Sequence, residues 1–475
     1  MATTTSQDTP GGLAHKHERG RWSVLGLLAL AQLMLVLDVT VVNVALPDIG
    51  ADLQLSRAAL PWVMTTYTLA FGGLMLLGGR VADLLGARRV LLAGLVLFTA
   101  SSALGGLAGS ALPLIASRAG QGVGAAFLAP SALALVMSTF TGSARSKALG
   151  VWATLSGVGA VAGVILGGVL TSEAGWRWIF YINVPIGIVL LAALPVLVPA
   201  HRPARSGVRL DVAGAVLVTS ATGALIYGLI NVGSHGWSTP STLLPLALSA
   251  VLGSLVAVVE RTAPAPLLVV HMIGNKAVAA GAFLILIATA LLIGGFFLGS
   301  FLLQREHGYS AVHVGVAFLP IAVAITLGAN AATQLLSRID ARIVAVVGLV
   351  FAAGGYGVAA QWPRPAEVVI GLSVAAVGIG ATFVTAFTVA MADVDPDEAG
   401  MRSAIVNTFH ELGGALGVAV LSSLAATSLT TLHVSQHGFT VAYAAGAIAA
   451  LAAAAVALVL VAPVKTHRAA GGHGH

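Results

Sequence analysis

Residues 22–47 of the chain read WSVLGLLALAQLMLVLDVTVVNVALP, an apolar run long enough to form a membrane-spanning helix. Asp38 lies inside this run and is its one charged residue. A lone acid in hydrocarbon costs about 2.5–3.5 kcal/mol even on insertion-derived scales, so such a residue usually marks an ion or substrate pathway. The alternative is structural: Asp38 caps a helix end or pairs internally to hold a helix bundle together.

The composition of the whole chain is that of a polytopic membrane protein. Of its 475 residues, 58% are hydrophobic and 8% are charged, and its mean hydropathy is +0.97. A soluble domain carries about 25% charged residues. The formal net charge is +6, but the basic residues are scattered among short loops, which argues against a nucleic-acid surface. The chain has no cysteine, so disulfides and thiolate metal sites are excluded.

Apolar runs separated by polar or Gly/Pro breaks predict fourteen transmembrane helices. The first run is too long for a cleaved signal peptide, so we expect it to stay in the protein. We expect Pro130, Pro185 and Pro320 to lie inside spans and to kink them. The predicted spans are 23–46, 60–79, 90–108, 113–137, 148–170, 178–198, 210–231, 243–259, 278–303, 311–335, 342–360, 367–391, 401–425 and 439–463.

The Lys and Arg residues predict the orientation of these spans. They fall in the loops and tails on the side of the N-terminus, except for Arg57, Arg118, Arg177, Arg305 and Arg364. Loops rich in Lys and Arg stay in the cytoplasm. The sequence therefore predicts a multi-pass protein of the cell membrane with both termini in the cytoplasm.

The chain contains an internal repeat at an offset of 254 to 256 residues. This offset corresponds to about eight helices with their loops, so helices 3, 4 and 5 should correspond to helices 11, 12 and 13. The predicted fold is an all-α membrane protein with 14 transmembrane helices, arranged as two six-helix repeats with two inserted central helices. The matched segments are 87–96 with 341–350, 122–128 with 378–384 and, more weakly, 147–160 with 402–415.

This repeat also predicts the domain organisation. Each half holds six helices, and helices 7 and 8 lie between the halves in the sequence. The predicted segments are a cytoplasmic tail (1–22), an N-terminal half (23–198), a cytoplasmic linker (199–209), the inserted helices (210–261), a C-terminal half (262–463) and a second cytoplasmic tail (464–475).

Several motifs resemble those of the fourteen-helix drug:proton antiporters of the major facilitator superfamily, and the resemblance covers about residues 23–463. Residues 37–47 are similar to the signature of the family's first helix. Residues 176–187, WRWIFYINVPIG, are the most family-specific string and place an aromatic belt at the start of helix 6. Helix 4 is similar to the family's second motif at Arg118, Gln121, Gly122, Gly124 and Pro130.

The loop between helices 2 and 3, GRVADLLGARR at 79–89, resembles the superfamily's cytoplasmic loop motif, with Leu84 in place of the usual Arg. Glycines at Gly79 and Gly86 permit a tight turn. The resemblance implies that Asp83 and Arg89 belong to a latch between the two halves. The alternative is a plain solvated turn.

Helix 5 carries Gly163, Gly167 and Gly168 and resembles the family's antiporter motif. Its glycines permit close helix packing. Val164 stands where the family has proline, which leaves import as well as export open. The alternative is ordinary packing of small residues.

Three charged residues within the spans are predicted to couple transport to protons. Asp38 and Arg118 lie at equal depth in adjacent helices, about 9–12 Å below the outer surface, and can therefore pair. Otherwise Arg118 snorkels and is structural. Glu411 lies near the middle of helix 13, where desolvation favours a neutral acid that can exchange a proton. A structural role for Glu411 is the alternative.

The predicted function is proton-coupled secondary active efflux of small amphipathic drugs or antibiotics by alternating access. The alternatives are a proton-coupled metabolite transporter of the same superfamily and a non-transporting membrane sensor. A primary pump or membrane enzyme is disfavoured, because the sequence has no Gly-x-x-x-x-Gly-Lys-Ser/Thr phosphate loop.

The expected partners are the substrate, protons and the lipid bilayer, with no nucleic acid, cofactor or metal, and a monomer is expected to be functional. The substrate should bind between the two halves near the membrane midplane. The predicted substrate-binding residues are Tyr67, Gln121, Phe127, Phe383, Phe387 and Asn407.

Overall fold

The computed structural model describes residues 10–56, 58–140, 142–198, 211–262, 274–361, 364–392, 394, 399–425 and 436–462. Helices account for most of these residues, and we number them α1 to α14 along the chain. The bounds are α1 Pro10–Asp52, α2 Ala59–Leu85, α3 Ala87–Gly106, α4 Ala111–Thr139, α5 Gly142–Glu173, α6 Trp178–Tyr181 with Asn183–Leu197, α7 Val212–His235, α8 Pro240–Thr262, α9 Lys276–Phe301 with a π-helical turn Leu302–Glu306, α10 Ala311–Ala317 with Leu319–Leu335, α11 Ala341–Gln361, α12 Pro365–Ala390, α13 Ala399–Leu424 and α14 Gln436–Leu460.

The helices confirm the predicted all-α membrane fold. Within the described ranges, thirteen are long and apolar enough to cross a bilayer, and in α5 the described apolar segment is the shorter Ala162–Glu173. The helices α1 to α14 of the described ranges coincide in order with the fourteen predicted spans. The predicted linker 199–209 and C-terminal tail 464–475 lie outside the described residues.

The structure corrects the predicted end of the first helix, because α1 continues through Pro47 to Asp52. A proline inside a helix leaves the carbonyl four residues earlier without its N–H partner and disturbs the turn before it. The π-helical turn of α9 contacts α1 beside this turn. Gln304 Nε2 donates to the carbonyl of Val44 at 2.7 Å, and Arg305 Nη2 donates to the carbonyl of Pro47 at 3.4 Å. These bonds attach α9 to α1 around Pro47.

All three predicted prolines lie inside membrane spans. Pro130 lies inside α4. The α-helical pattern is interrupted at Ile182 in α6 and at Phe318 in α10, three residues before Pro185 and two residues before Pro320. A proline has no N–H to bond the preceding turn, so these interruptions are the disturbance that the sequence predicted for Pro185 and Pro320.

The two six-helix halves, α1–α6 and α9–α14, repeat one arrangement of helices. In the first half α2 and α3 pack along α4, and α1 packs along α5. Eight helices later, α10 and α11 pack along α12, and α9 packs along α13. The correspondence of helices 3, 4 and 5 with helices 11, 12 and 13 is therefore confirmed.

Close glycine contacts correct the register of one repeat. A Cβ atom on Gly94 would lie 2.7 Å from the carbonyl oxygen of Gly124, and one on Gly348 would lie 2.8 Å from that of Gly378. Gly124 is therefore equivalent to Gly378, whereas the sequence match paired Gly122 with Gly378. The match was displaced because a Gly-x-Gly pattern also matches itself when it is shifted by two residues.

The inserted pair, α7 and α8, lies at the edge of the bundle. α7 packs against α2 and α13, one helix from each half. Its Ile226 and Ile230 pack with Ala415 and Ala419 of α13. α8 packs on α7, and only 6% of the residues in its most apolar stretch are buried inside the protein. The pair therefore covers the seam between the halves and presents α8 to lipid.

Polar contacts join the two halves at one end of the bundle, in addition to the packing of α2 against α13. We call the side at which α1 begins the terminal face and the opposite side the far face. At the far face, Gln304 and Arg305 bond α1 as described, and the backbone N–H of Val312 in α10 donates to Ser172 Oγ of α5 at 3.3 Å. A Cβ atom on Gly168 of α5 would lie 2.6 Å from the carbonyl oxygen of Ala311. In this conformation the far face is closed.

Candidate functional site

The Asp38 carboxylate of α1 is completely buried and accepts three hydrogen bonds. Arg118 Nη1 donates to Oδ2 at 2.5 Å, while Gln121 Nε2 and Asn183 Nδ2 donate to Oδ1 at 2.8 Å and 3.0 Å. The donors belong to α4 and α6. The predicted pairing of Asp38 with Arg118 is confirmed.

Arg118 is held in the interior of the N-terminal half and does not snorkel to the membrane surface, since only 1% of the residue is exposed. Its Nε donates to the carbonyl of Val63 at 2.9 Å, and its Nη1 also donates to Gln121 Oε1 at 2.9 Å. The guanidinium carbon lies 4.4 Å from the centre of the Tyr67 ring. A buried arginine keeps its charge, and these contacts compensate that charge.

Gln121 is oriented by three partners at once. Its Oε1 accepts from Arg118, and its Nε2 donates to Asp38 and, at 2.8 Å, to Ser102 Oγ. An amide with its oxygen towards the carboxylate would lose the bonds to Arg118 and Asp38, and only Ser102 Oγ could still donate to it, so the observed orientation is favoured. The predicted substrate-binding residue Gln121 is thus part of the Asp38 site, as is Ser102, which the sequence did not single out.

Asn183 is a second residue of this site that sequence reasoning missed. It begins the second segment of α6, immediately after the interruption at Ile182, and is 1% exposed. The sequence contained a signal, because Asn183 is the one amide in the family-specific string 176–187 and enters an apolar span. Polar residues inside membrane spans usually face the bundle interior and bond another helix.

Tyr67 of α2 lies under the Arg118 guanidinium and is fully buried. Its hydroxyl makes no hydrogen bond within the described part of the chain. A buried hydroxyl without a partner is a donor that a bound molecule could use.

Glu411 and its neighbour His410 face different helices, as the sequence predicted. A Cβ atom on Gly72 of α2 would lie 2.7 Å from the Glu411 Cβ atom, so Glu411 lies at the contact of α13 with α2, between the halves. His410 Nδ1 lies 2.8 Å from Thr289 Oγ1 of α9, and its ring centre is 5.6 Å from that of Phe383. The two side chains therefore belong to different environments.

The other predicted substrate-binding residues are half-buried. Phe127 packs at the contact of α4 with α3. A Cβ atom added to Gly94 of α3 would lie 3.1 Å from the Cβ atom of Phe127. Asn407 Nδ2 bonds the carbonyl of Ser403 in its own helix at 3.0 Å. Phe383 and Phe387 pack on the apolar cluster of the C-terminal half. The structure thus brings Tyr67 and Gln121 together around Asp38 and places Phe383 beside His410.

The glycines of α5 lie where α5 meets two other helices. A Cβ atom on Gly163 would lie 2.9 Å from the Cβ atom of Thr40, and one on Gly167 would lie 2.9 Å from the Cα atom of Val41, both in α1. Gly168 faces α10, as described above. Close packing at these glycines is confirmed, and it involves both halves.

In the loop motif, Gly86 alone makes the turn. Its φ is 91°, in the region that favours glycine, and it joins α2 directly to α3. Gly79 lies inside α2, because that helix continues to Leu85, so its predicted place in the turn is wrong. Asp83 and Arg89 are exposed on either side of Gly86.

One apolar cavity of about 500 Å³ lies between α2, α7 and α8, away from the predicted substrate residues. In the described ranges no group of three or more His, Asp or Glu residues could hold a metal ion. The cavity is lined by Trp62, Gly223, Ala224, Tyr227, Leu244, Pro245 and Leu248.

Comparison with known proteins places this architecture in a family. The profile described as Major Facilitator Superfamily matches residues 28–418. The puromycin resistance protein of Streptomyces alboniger is 40% identical over 432 residues, which cover 88% of this chain and 84% of that protein. The cephamycin export protein of Amycolatopsis lactamdurans is 37% identical, with 87% of each chain covered.

A solved structure shares the fold. The bacterial homolog of the human lysosomal transporter Spinster, in an inward-facing and unoccupied conformation, superposes with a TM-score of 0.64 at 18% identity, covering 93% of this chain and 95% of that chain. The profile match, the curated relatives and the repeated six-helix halves agree. The chain belongs to the Major Facilitator Superfamily.

Proposed function

We propose that the chain exports small amphipathic molecules of the antibiotic class across the cell membrane, in exchange for protons and by alternating access. The observation that carries the proposal is the buried Asp38 carboxylate with its donors Arg118, Gln121 and Asn183. The superfamily consists of transporters, and the relatives named for puromycin resistance and cephamycin export support the substrate class.

Proton uptake at Asp38 would change how α1 contacts its neighbours. Oδ1 accepts from both Gln121 and Asn183, so a proton on Oδ1 would displace one of these amide donors. A proton on Oδ2 would remove the negative charge that attracts Arg118. Protonation therefore favours an arrangement in which α1 separates from α4 or α6, and this difference between two states is what coupling requires.

We place the substrate between the halves, where it competes with Asp38. Tyr67 and Gln121 would contact it from the N-terminal half, with Phe127 nearby, and Phe383, Phe387 and Asn407 from the C-terminal half. Gln121 already donates to Asp38, so a substrate that takes this donor weakens the hold on the carboxylate. Substrate and proton thereby influence the same hydrogen bond.

Glu411 is the second candidate for the coupling proton. It lies where α13 meets α2, so it is positioned between the halves. An acid desolvated at such a contact is more easily accommodated when it is neutral, and loss of its proton favours separation of the two helices.

Alternating access requires the far-face contacts to open and contacts at the terminal face to form. Gly163, Gly167 and Gly168 supply surfaces on which α5 can shift against α1 and α10. Asp83 and Arg89 lie at the terminal face and are proposed to belong to its latch. We propose that the terminal face is cytoplasmic, that the predicted halves act as the moving bodies and that one chain is functional.

Expression in an efflux-deficient bacterium tests the proposal, with puromycin and a cephamycin as probes. Export predicts increased resistance and reduced accumulation, both reversed by a protonophore and both lost in Asp38→Asn at equal membrane abundance. Increased accumulation would indicate import, and unchanged accumulation of every probe would favour a non-transporting role.

Reporter fusions test the orientation separately. A reporter active in the cytoplasm should give signal after Arg205 and after His475 but not after Gly233. Signal at Gly233 would contradict the proposed orientation.

A further inference from the structure

The side chain of Asn183 connects α6 to the carboxylate of Asp38, and we propose that it is a positioning residue for that acid: it sets the pH at which Asp38 takes up a proton and transmits this event to α6. The proposal rests on the proposed function, in which Asp38 exchanges the coupling proton. Asn183 acts through Asp38 and needs no contact with substrate.

The start of α6 is attached to α1 at two carboxylates. At the far face, Trp176 Nε1 and Arg177 Nη1 both bond Asp52 Oδ2 at 2.9 Å, and about half of these charged side chains is exposed. Deeper in the bundle, Asn183 bonds Asp38. The two attachment points are about 21 Å apart along α1. They lie on either side of the interruption at Ile182.

The two amides on Oδ1 respond differently to a proton. Gln121 also bonds Arg118 and Ser102, so it stays in place when the carboxylate is neutral. Within the described part of the chain, the Asn183 side chain donates to Asp38. Neutral Asp38 would thus release α6 at Asn183, while Trp176 and Arg177 still hold it at Asp52. The first response to protonation is expected in α6.

The other groups that face Asp38 do not replace this role. In the described ranges the charged or titratable side chains around it are Arg118 from α4 and Tyr67 from α2, and the donors from α4 and α6 are the amides already named. Arg118 stays charged throughout the accessible pH range. Removing the Asn183 donor therefore weakens the ionised form of Asp38 without removing its counter-charge.

The test is an infrared titration of the purified full-length protein in detergent, following the carbonyl band of the protonated carboxyl group. The Asp38 band is identified by its loss in Asp38→Asn. Asn183→Ala should move the midpoint of this band to higher pH by about one unit, the size expected for one hydrogen bond to a charged group. Asn183→Leu, which keeps the side-chain volume, should give the same shift and serves if the alanine variant does not fold.

Asn231→Ala is the matched control. Asn231 is also a buried asparagine, but its Nδ2 donates to the carbonyl of Ser241 at 2.9 Å, far from Asp38, so its variant should leave the midpoint unchanged. An Asp38 band whose midpoint is the same in the wild type, Asn183→Ala and Asn183→Leu would overturn the role of Asn183 and leave the proposed function standing. A wild-type protein in which no carboxyl band disappears in Asp38→Asn at any pH from 4 to 9 would overturn proton exchange at Asp38 itself.

Discussion

The guanidinium carbon of Arg118 lies 4.4 Å from the centre of the Tyr67 ring, and both side chains are buried. This contact joins α4 to α2 beside the Asp38 carboxylate. The ring supplies the contact, and the Tyr67 hydroxyl makes no hydrogen bond within the described residues. Ring and hydroxyl should therefore contribute to different properties of the protein.

Tyr67→Leu should lower the free energy of unfolding by about 2 kcal/mol, because a desolvated cation–π contact is lost. Tyr67→Phe keeps the ring and should be as stable as the wild type. If the hydroxyl donates to substrate, Tyr67→Phe should instead weaken puromycin binding several-fold. Thermal unfolding and binding in detergent measure the two effects. Equal stability of the Leu and Phe variants would show that the ring contact is not stabilising.

The repeat predicts that equivalent glycines respond alike. Gly94→Ala and Gly348→Ala should each destabilise the protein by about 1–3 kcal/mol, because the new methyl group would meet the carbonyl of the facing helix. Gly354→Ala is the control, since nothing lies within 4 Å of a Cβ atom there. Thermal unfolding in detergent measures all three. A large effect at Gly94 with none at Gly348 would contradict the equivalence of the halves.

The sequence predicted the number and order of the helices because the length of an apolar run and the charge of a loop depend only on consecutive residues. The prolines Pro185 and Pro320 signalled the interruptions at Ile182 and Phe318, because a proline disturbs the helical turn before it. α1 was ended too early because the sequence prediction treated Pro47 as a helix end, whereas the helix continues through it to Asp52.

The candidate site was predicted in part, for a related reason. Equal depth in adjacent helices brought Asp38 and Arg118 together correctly, although α1 extends well beyond the end used for that comparison. Depth along a helix says nothing about which way α6 turns towards α1, so Asn183 was not found. The partners of His410 in α9 and α12 were likewise out of reach, because they depend on the packing of the C-terminal half.

The far-face closure should depend on Gln304. Gln304→Leu removes the bond to the Val44 carbonyl, so the far face should open about 2–10-fold more often. The natural chain has no cysteine, so Leu46→Cys, introduced at a buried position near the far end of α1, reports opening through its rate of labelling by a membrane-impermeant maleimide.

Gln334→Leu is the matched control for this experiment, because Gln334 is exposed at the other end of α10. It should leave the labelling rate of Leu46→Cys unchanged. The same labelling rate in Gln304→Leu and in the parent would show that this hydrogen bond does not hold the far face closed.

Proton coupling through Asp38 is tested most directly in proteoliposomes that contain the purified protein, by measuring proton release induced by puromycin. Asp38→Asn resembles the protonated form, so we expect it to abolish transport driven by a pH gradient while puromycin exchange without a gradient persists. Glu411→Gln, measured alongside, reports the second acid. Gradient-driven transport that survives in Asp38→Asn but is lost in Glu411→Gln would contradict Asp38 as the coupling acid and assign the proton to α13.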